Sequence, residues 1–256
     1  MIVEWEAVLE CNYKCHYCSN GRNDLLDKPI RYEKDINKIC TFLDSIKAQW
    51  PDEEVFVFGG EPLLHPHIEQ IVEHFNKIEL KFIIQTNFVL TNKIKRMDDM
   101  GLDFMVQVSL HPLEITDEQN LFEDLLEFDH RIRRIDLMYI GKPSLELYKK
   151  VLPYVKDKSK LFLAPVADFE LDNVVNEYLY EFNEMKKDTL LSKVYNFEPG
   201  DRSYKWESMM RGTTTTKGKP CMYLGKYILY DPALQPYTCN MRENNEICPH
   251  EQCFLM

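Results

Sequence analysis

Cys11-Asn12-Tyr13-Lys14-Cys15-His16-Tyr17-Cys18 places three cysteines in the spacing C-x3-C-x2-C, directly after the apolar run Ile2–Leu9. Three thiolates on one loop can hold three irons of a [4Fe–4S] cluster and leave the fourth iron open to another molecule. Soft thiolates favour iron–sulfur over hard cations. Two other readings compete. A disulfide framework calls for an oxidising compartment, and no charged-then-apolar leader precedes Cys11. A structural zinc site wants four ligands, and His16 could join the three thiols.

Downstream, Gly59-Gly60-Glu61-Pro62 follows the apolar run Val55-Phe56-Val57-Phe58. About 40 residues separate the two motifs, the span that one βα unit plus a strand requires. The cysteine triplet, an aromatic residue before its last cysteine (Tyr17) and the Gly-Gly-Glu-Pro run together resemble the radical S-adenosylmethionine (radical SAM) superfamily. The resemblance implies that Cys11, Cys15 and Cys18 ligate a SAM-binding [4Fe–4S] cluster and that Tyr17 lies near the SAM adenine. It places Gly59, Gly60 and Glu61 at the SAM amino group. Asn87 and Ser109, at the ends of the third and fourth strands, match places where the family contacts the SAM ribose or carboxylate. Ordinary turn hydrogen bonding is the alternative for both.

The chain around these motifs alternates. Strands are expected at 2–9, 54–58, 81–85, 103–110, 132–140 and 160–166, and helices at 34–50, 67–78, 93–100, 117–128, 144–155 and 171–185. Gly101 closes the third helix, and Thr116 or Asp117 caps the fourth. Such alternation implies right-handed crossovers and a parallel sheet. Six units fit the partial (β/α)6, TIM-like barrel of the family: an α/β domain over residues 1–188. Chemistry in such folds collects at the C-terminal strand ends. The cysteines follow strand one and the Gly-Gly-Glu-Pro run strand two. Thr86-Asn87 follow strand three, Ser109 and His111 strand four, Ala167-Asp168 strand six. Asp168 and Tyr139 are further rim candidates. His111 could face substrate, or reads as a loop histidine hydrogen-bonded to backbone; His65 and His67 read as loop and cap residues, and Cys40 as a buried, inert thiol on an amphipathic helix. No residue stands out as the one that steers the substrate radical.

Residues 189–256 differ. Cys221, Cys239, Cys248 and Cys253 are spaced C-x17-C-x8-C-x4-C, and Tyr227–Cys239 reads as strand, turn, strand. A cysteine-framed hairpin at the end of such a chain resembles the SPASM/twitch extension, which implies an auxiliary [4Fe–4S] cluster. Ala233 and Leu234 stand where that turn usually has a glycine. Four cysteines suffice for one auxiliary cluster, either fully ligated or with one iron open, and suit zinc as well. Gly200–Lys226 carries six cations against two acids, with four consecutive threonines, Thr213 to Thr216. It reads as a grip for an anion such as a phosphate, or as a solvated loop.

A formal charge of -11 argues against a chain-wide duplex nucleic-acid or anionic membrane footprint. With 45% hydrophobic residues and no long uncharged apolar stretch, a membrane span is not expected. Eight cysteines without a leader point to the cytoplasm. The resemblance implies an enzyme, an oxidoreductase or isomerase, that reductively cleaves SAM to a 5′-deoxyadenosyl radical. That radical abstracts hydrogen from a small polar molecule, a nucleotide or modified base, or a peptide, for oxidation, epimerisation or rearrangement. Electrons come from a donor such as flavodoxin or ferredoxin. A strand expected from the second residue leaves no leader-binding domain ahead of it. That tilts the substrate toward a small molecule or nucleotide, or a peptide presented by a separate partner. The alternatives are an activase that installs a glycyl radical on a partner enzyme and a non-enzymatic zinc- or iron-binding interaction module.

Overall fold

The structure, a computed structural model, describes residues 2–15, 31–111, 114–115, 118–139, 145–165 and 227–237. Among the described residues, eight strands form one sheet: β1 (Ile2–Val8), β2 (Val55–Gly59), β3 (Phe82–Thr86), β4 (Val106–Leu110), β5 (Ile132–Tyr139), β6 (Leu161–Pro165), β7 (Tyr227–Tyr230) and β8 (Pro236–Tyr237). Their order is β6-β5-β4-β3-β2-β1-β7-β8. All neighbours from β6 to β7 run parallel, and only β7 and β8 are antiparallel. The run from β1 to β6 is strictly sequential, a parallel six-stranded α/β sheet.

The helices between these strands are α1 (Ile36–Gln49), α2 (Ile68–Lys77), α3 (Thr91–Asp99), α4 (Glu118–Glu127) and α5 (Leu145–Val151). Each packs an apolar stripe on the sheet. In α1 the buried set is Ile39, Phe42, Leu43 and Ile46, at helical spacing. Asp35 starts this helix by accepting the Asn37 amide at 2.9 Å, so it begins two residues later than the periodicity suggests. On the sheet, Val3, Trp5 and Ala7 of β1, Val55 and Val57 of β2, and Val106, Val108 and Leu110 of β4 join the same core. Trp5 meets Phe42 edge-on, with ring centroids 5.5 Å apart, and Phe75 stacks on Phe82 at 4.2 Å. Each large side chain buried this way contributes about 1.5–3 kcal/mol.

Two further boundaries differ from expectation, the first for an identifiable reason. Helix α5 stops at Val151 and continues as a 3-10 turn over Leu152–Tyr154, because Pro153 has no N–H for an α-helical bond. Strand β4 begins at Val106, three residues after its expected start. Gly101 does close α3, at φ +70°, with its amide on the Asp98 carbonyl. The expected sixth helix, 171–185, the cap at Thr116 or Asp117 and the cationic segment 200–226 lie outside the described residues.

The hairpin expected between Cys221 and Cys239 is present, and it continues the main sheet: Ile2–Trp5 of β1 pair with Tyr227–Tyr230. Its turn places Leu234 at φ +62°, the conformation a glycine would take more cheaply. The Asp231 carboxylate holds that turn by accepting the amides of Ala233 and Gln235, each at 2.9 Å.

Candidate functional site

The C-terminal ends of β1, β2, β3 and β4 converge on the cysteine loop, and the convergence begins with two glycines. The amide of Gly60 donates to the Val8 carbonyl at 2.7 Å, and that of Glu61 to the Glu10 carbonyl at 2.8 Å. The end of β2 is thereby laced to the residues that lead into Cys11. Gly59 has φ +136°, and a Cβ there would stand 2.1 Å from the Val8 carbonyl oxygen. A Cβ on Gly60 would stand 2.1 Å from that of Glu10. Only glycine permits this approach.

Glu61 and Pro62 then turn the chain. Pro62 opens a 3-10 turn over Pro62–Leu64, and the Glu61 carboxylate caps it by accepting the Leu63 amide at 3.0 Å. The same carboxylate accepts the Thr86 hydroxyl at 2.9 Å and the Asn87 amide at 2.7 Å, which ties β2 to the end of β3. Glu61 is 0% exposed. Burial outweighs its three donors and lifts the carboxyl to about 7. The side chain is therefore turned into the protein, and the run's ability to meet a ligand rests with its main chain.

Asn87 faces the loop. Its side-chain amide donates to Asn12 Oδ1 at 2.6 Å and lies 3.8 Å from Cys11 Sγ, while its Oδ1 accepts the Val89 amide at 3.2 Å. Ser109 is 4% exposed and accepts a hydrogen bond from Gln85 Nε2 at 3.2 Å. His111 Nδ1 lies 3.7 Å from Cys15 Sγ, and its ring meets Tyr13 edge-on. His111 is thus a neighbour of the second cysteine. Burial lowers His111 to about 4, so the ring is neutral near pH 7. The Tyr13 hydroxyl is pushed up to about 12, mainly by burial and then by the nearby Cys15 and Glu114.

Cys18, Tyr17, Asp168 and the four C-terminal cysteines lie outside the described residues. Tyr139 is the last residue of β5. Cys40 is half-buried, with burial raising its thiol pKa, rather than buried as expected.

Sequence reading missed two groups. The first is the clasp at the loop's far end. The Leu9 amide donates to the Arg31 carbonyl at 2.8 Å, His67 Nε2 bonds the Lys34 carbonyl at 3.2 Å, and the fully buried His65 packs edge-on against Tyr32. The second is a polar row on β3, β4 and β5. Asp136, 3% exposed, accepts from Gln107 Nε2 and Arg134 Nε, each at 2.7 Å. Burial raises the Asp136 carboxyl, against the pull of Arg134 and Gln107. Gln85, Gln107 and Ser109 alternate with core residues, so they share the sheet face away from the helices. Polar residues at period two inside apolar strands were the available signal.

The donor set fits an iron–sulfur cluster. Cys11 and Cys15 stand at the sheet's C-terminal edge, one sulfur beside an amide donor and the other beside a neutral histidine. A profile of the Radical SAM superfamily matches residues 7–158. The chain belongs to the radical SAM superfamily. Among curated relatives, a probable GTP 3′,8-cyclase of Methanococcus maripaludis (strain C7) is 33% identical over 108 residues, 41% of this chain and 34% of that protein. An S-adenosylmethionine-dependent nucleotide dehydratase of Fibrobacter sp. (strain UWH6) is 26% identical over 199 residues, 74% of this chain and 51% of that protein. The chain thus spans about a third to a half of these relatives. Streptococcus suis SuiB, solved bound to S-adenosylmethionine, superposes with a TM-score of 0.57 at 14% identity, over 96% of this chain and 62% of SuiB. That likeness shows a shared fold. Among the described residues, no helix is long and apolar enough to cross a membrane.

Proposed function

We propose that this radical SAM protein takes a hydrogen atom from a nucleotide or nucleotide-derived substrate, using the 5′-deoxyadenosyl radical that a [4Fe–4S] cluster and SAM supply when bound. Cys11, Cys15 and Cys18 hold that cluster, and Tyr17 lies by the adenine. The carrying observation is the lacing of Gly59–Glu61 to Val8 and Glu10, which fixes a strand end against the cysteine loop. The amides of Gly60 and Glu61 are already donated, so what the run offers the SAM ammonium is carbonyl oxygen. Ser109 is buried at the end of β4 and its hydroxyl suits a ribose or carboxylate contact. Asn87 shares that edge and faces the loop, where its amide would suit a ribose or carboxylate contact.

The nucleotide class rests on the relatives: the cyclase acts on GTP by name, and the dehydratase, which aligns over most of this chain, on a nucleotide. Cys221, Cys239, Cys248 and Cys253 bind an auxiliary [4Fe–4S] cluster. Electrons come from a flavodoxin or ferredoxin, in the cytoplasm.

The test is anaerobic reconstitution with iron and sulfide, in wild type and in a Cys11/Cys15/Cys18→Ala triple variant. About eight irons are expected in wild type and about four in the variant. Dithionite should drive SAM cleavage in wild type only, and a nucleoside triphosphate should accelerate it where a peptide does not. No cleavage in fully loaded wild type overturns the reading. Cleavage with about four irons, all lost in the variant, removes the auxiliary cluster and turns the search to a glycyl-radical partner.

A further inference from the structure

We infer that Asn87 is a positioning residue that tunes the redox potential of the loop cluster, through an amide hydrogen bond to the Cys11 sulfur. The inference rests on the radical SAM reading of Cys11, and the geometry carries it further. The amide nitrogen has two neighbours on the loop, Cys11 Sγ at 3.8 Å and Asn12 Oδ1 at 2.6 Å. Its two hydrogens suffice for both. The residue is 6% exposed, and three contacts fix its direction. Its backbone amide is held by buried Glu61, its Oδ1 takes the Val89 amide, and Asn12 takes one side-chain hydrogen. Two of these contacts come from outside the loop, from Glu61 just after β2 and from Val89 just after β3.

A donor at a cluster sulfur stabilises the reduced state more than the oxidised one, because reduction adds negative charge to the cluster and its thiolates. One electron enters from the reductant, and no bond is made or broken in the protein. The arm from Glu61 through Asn87 to Cys11 gives the Gly-Gly-Glu-Pro run a second task beside any contact with SAM: its buried carboxylate orients the residue that sets how readily the cluster is reduced. Without the donor, a given reductant populates less of the reduced cluster.

The test is a potentiometric titration of the reconstituted full-length chain, followed by electron paramagnetic resonance. The loop cluster is identified as the signal that changes on adding SAM. Asn87→Asp keeps the shape and the acceptor for Val89 while losing both donor hydrogens, and Asn87→Ala loses the whole group. Both should load the same iron as wild type. At a fixed potential the reduced-to-oxidised ratio should fall about threefold in Asn87→Ala, and further in Asn87→Asp, whose carboxylate faces the sulfur. Asn12→Ala removes the loop's own contact while Glu61 and the Val89 amide still hold Asn87, and should leave the ratio unchanged. Loaded Asn87 variants with an unchanged ratio overturn the inference. So does an Asn12→Ala shift equal to that of Asn87→Ala, which would make loop placement the cause. Folded Asn87 variants that take up no loop iron also overturn it, since Asn87 would then serve assembly. Wild type that binds no loop cluster fails at an earlier step, bringing down the radical SAM reading of these cysteines and the inference with it.

Discussion

The end of β2 and the cysteine loop lie side by side and are built in opposite ways. Gly59, Gly60 and Glu61 are fixed by main-chain bonds to β1, by a carboxylate with three donors, and by contacts that no Cβ would survive. Cys11 and Asn12 are exposed, and the contacts that Cys11 and Cys15 receive from outside the loop are long, 3.8 Å to Asn87 and 3.7 Å to His111. One region is pre-formed by folding. The other is placed only as far as its neighbours hold it, which suits thiolates whose final geometry a cluster sets. The cost of substitution should therefore be very unequal across a few ångströms.

Gly60→Ala should produce the largest loss. Its Cβ would meet Glu10 at 2.1 Å from the oxygen and 2.5 Å from the carbonyl carbon, both backbone atoms. Relief requires parting β1 from β2 at the mouth of the loop, at about 4 kcal/mol. Denaturant unfolding of the metal-free chain reads this directly. An unchanged midpoint would mean that the cradle yields as readily as the loop, and the contrast would fail.

Glu61→Gln should cost about 2 kcal/mol, because an amide nitrogen must then face a donor that the carboxylate accepted. It also alters pH dependence. The Glu61 carboxyl lies at about 7 in the folded chain against an ordinary 4.5, so folding favours its protonated form. Its contribution is fully present below about 4.5 and is lost as pH rises through about 7. His65 and His111, both lowered to about 4 by burial, titrate with the opposite sign between there and their ordinary 6.5. The difference between wild type and Glu61→Gln isolates the carboxyl. That gap should narrow from pH 5 to pH 8 in urea unfolding. A gap independent of pH would show that the three donors hold Glu61 ionised throughout.

What sequence reading reached follows the same divide. The strands and helices of the first 165 residues were legible because their periods, caps and glycines are local: Asp35 before α1 and Gly101 after α3 act within a few residues. The cysteine spacing and the Gly-Gly-Glu-Pro run were legible as residue types in order. Direction was not. Nothing local says that the Glu61 carboxylate turns inward to Thr86, or that His111 reaches Cys15 across 96 positions. The docking of β7 on β1 was equally hidden, since strand pairing is chosen by the whole fold. Asp136 could have been caught, as the one acid within the otherwise apolar run Ile135–Tyr139.

Cys11→Ser should be the gentlest change to the fold and the most complete for the cluster. The residue is exposed, serine nearly matches its size, and the sulfur's recorded partners, Tyr13, Asn12 and Asn87, lie at hydrogen-bond lengths a hydroxyl can shorten. The unfolding midpoint of the metal-free chain should move by no more than about 0.5 kcal/mol. Loop iron after reconstitution should nonetheless fall to near none, because a hydroxyl at neutral pH does not supply the soft anionic ligand that iron requires there. A large loss of metal-free stability would show that Cys11 belongs to the pre-formed cradle, and the boundary between the two regions would then run inside the loop, past Asn12.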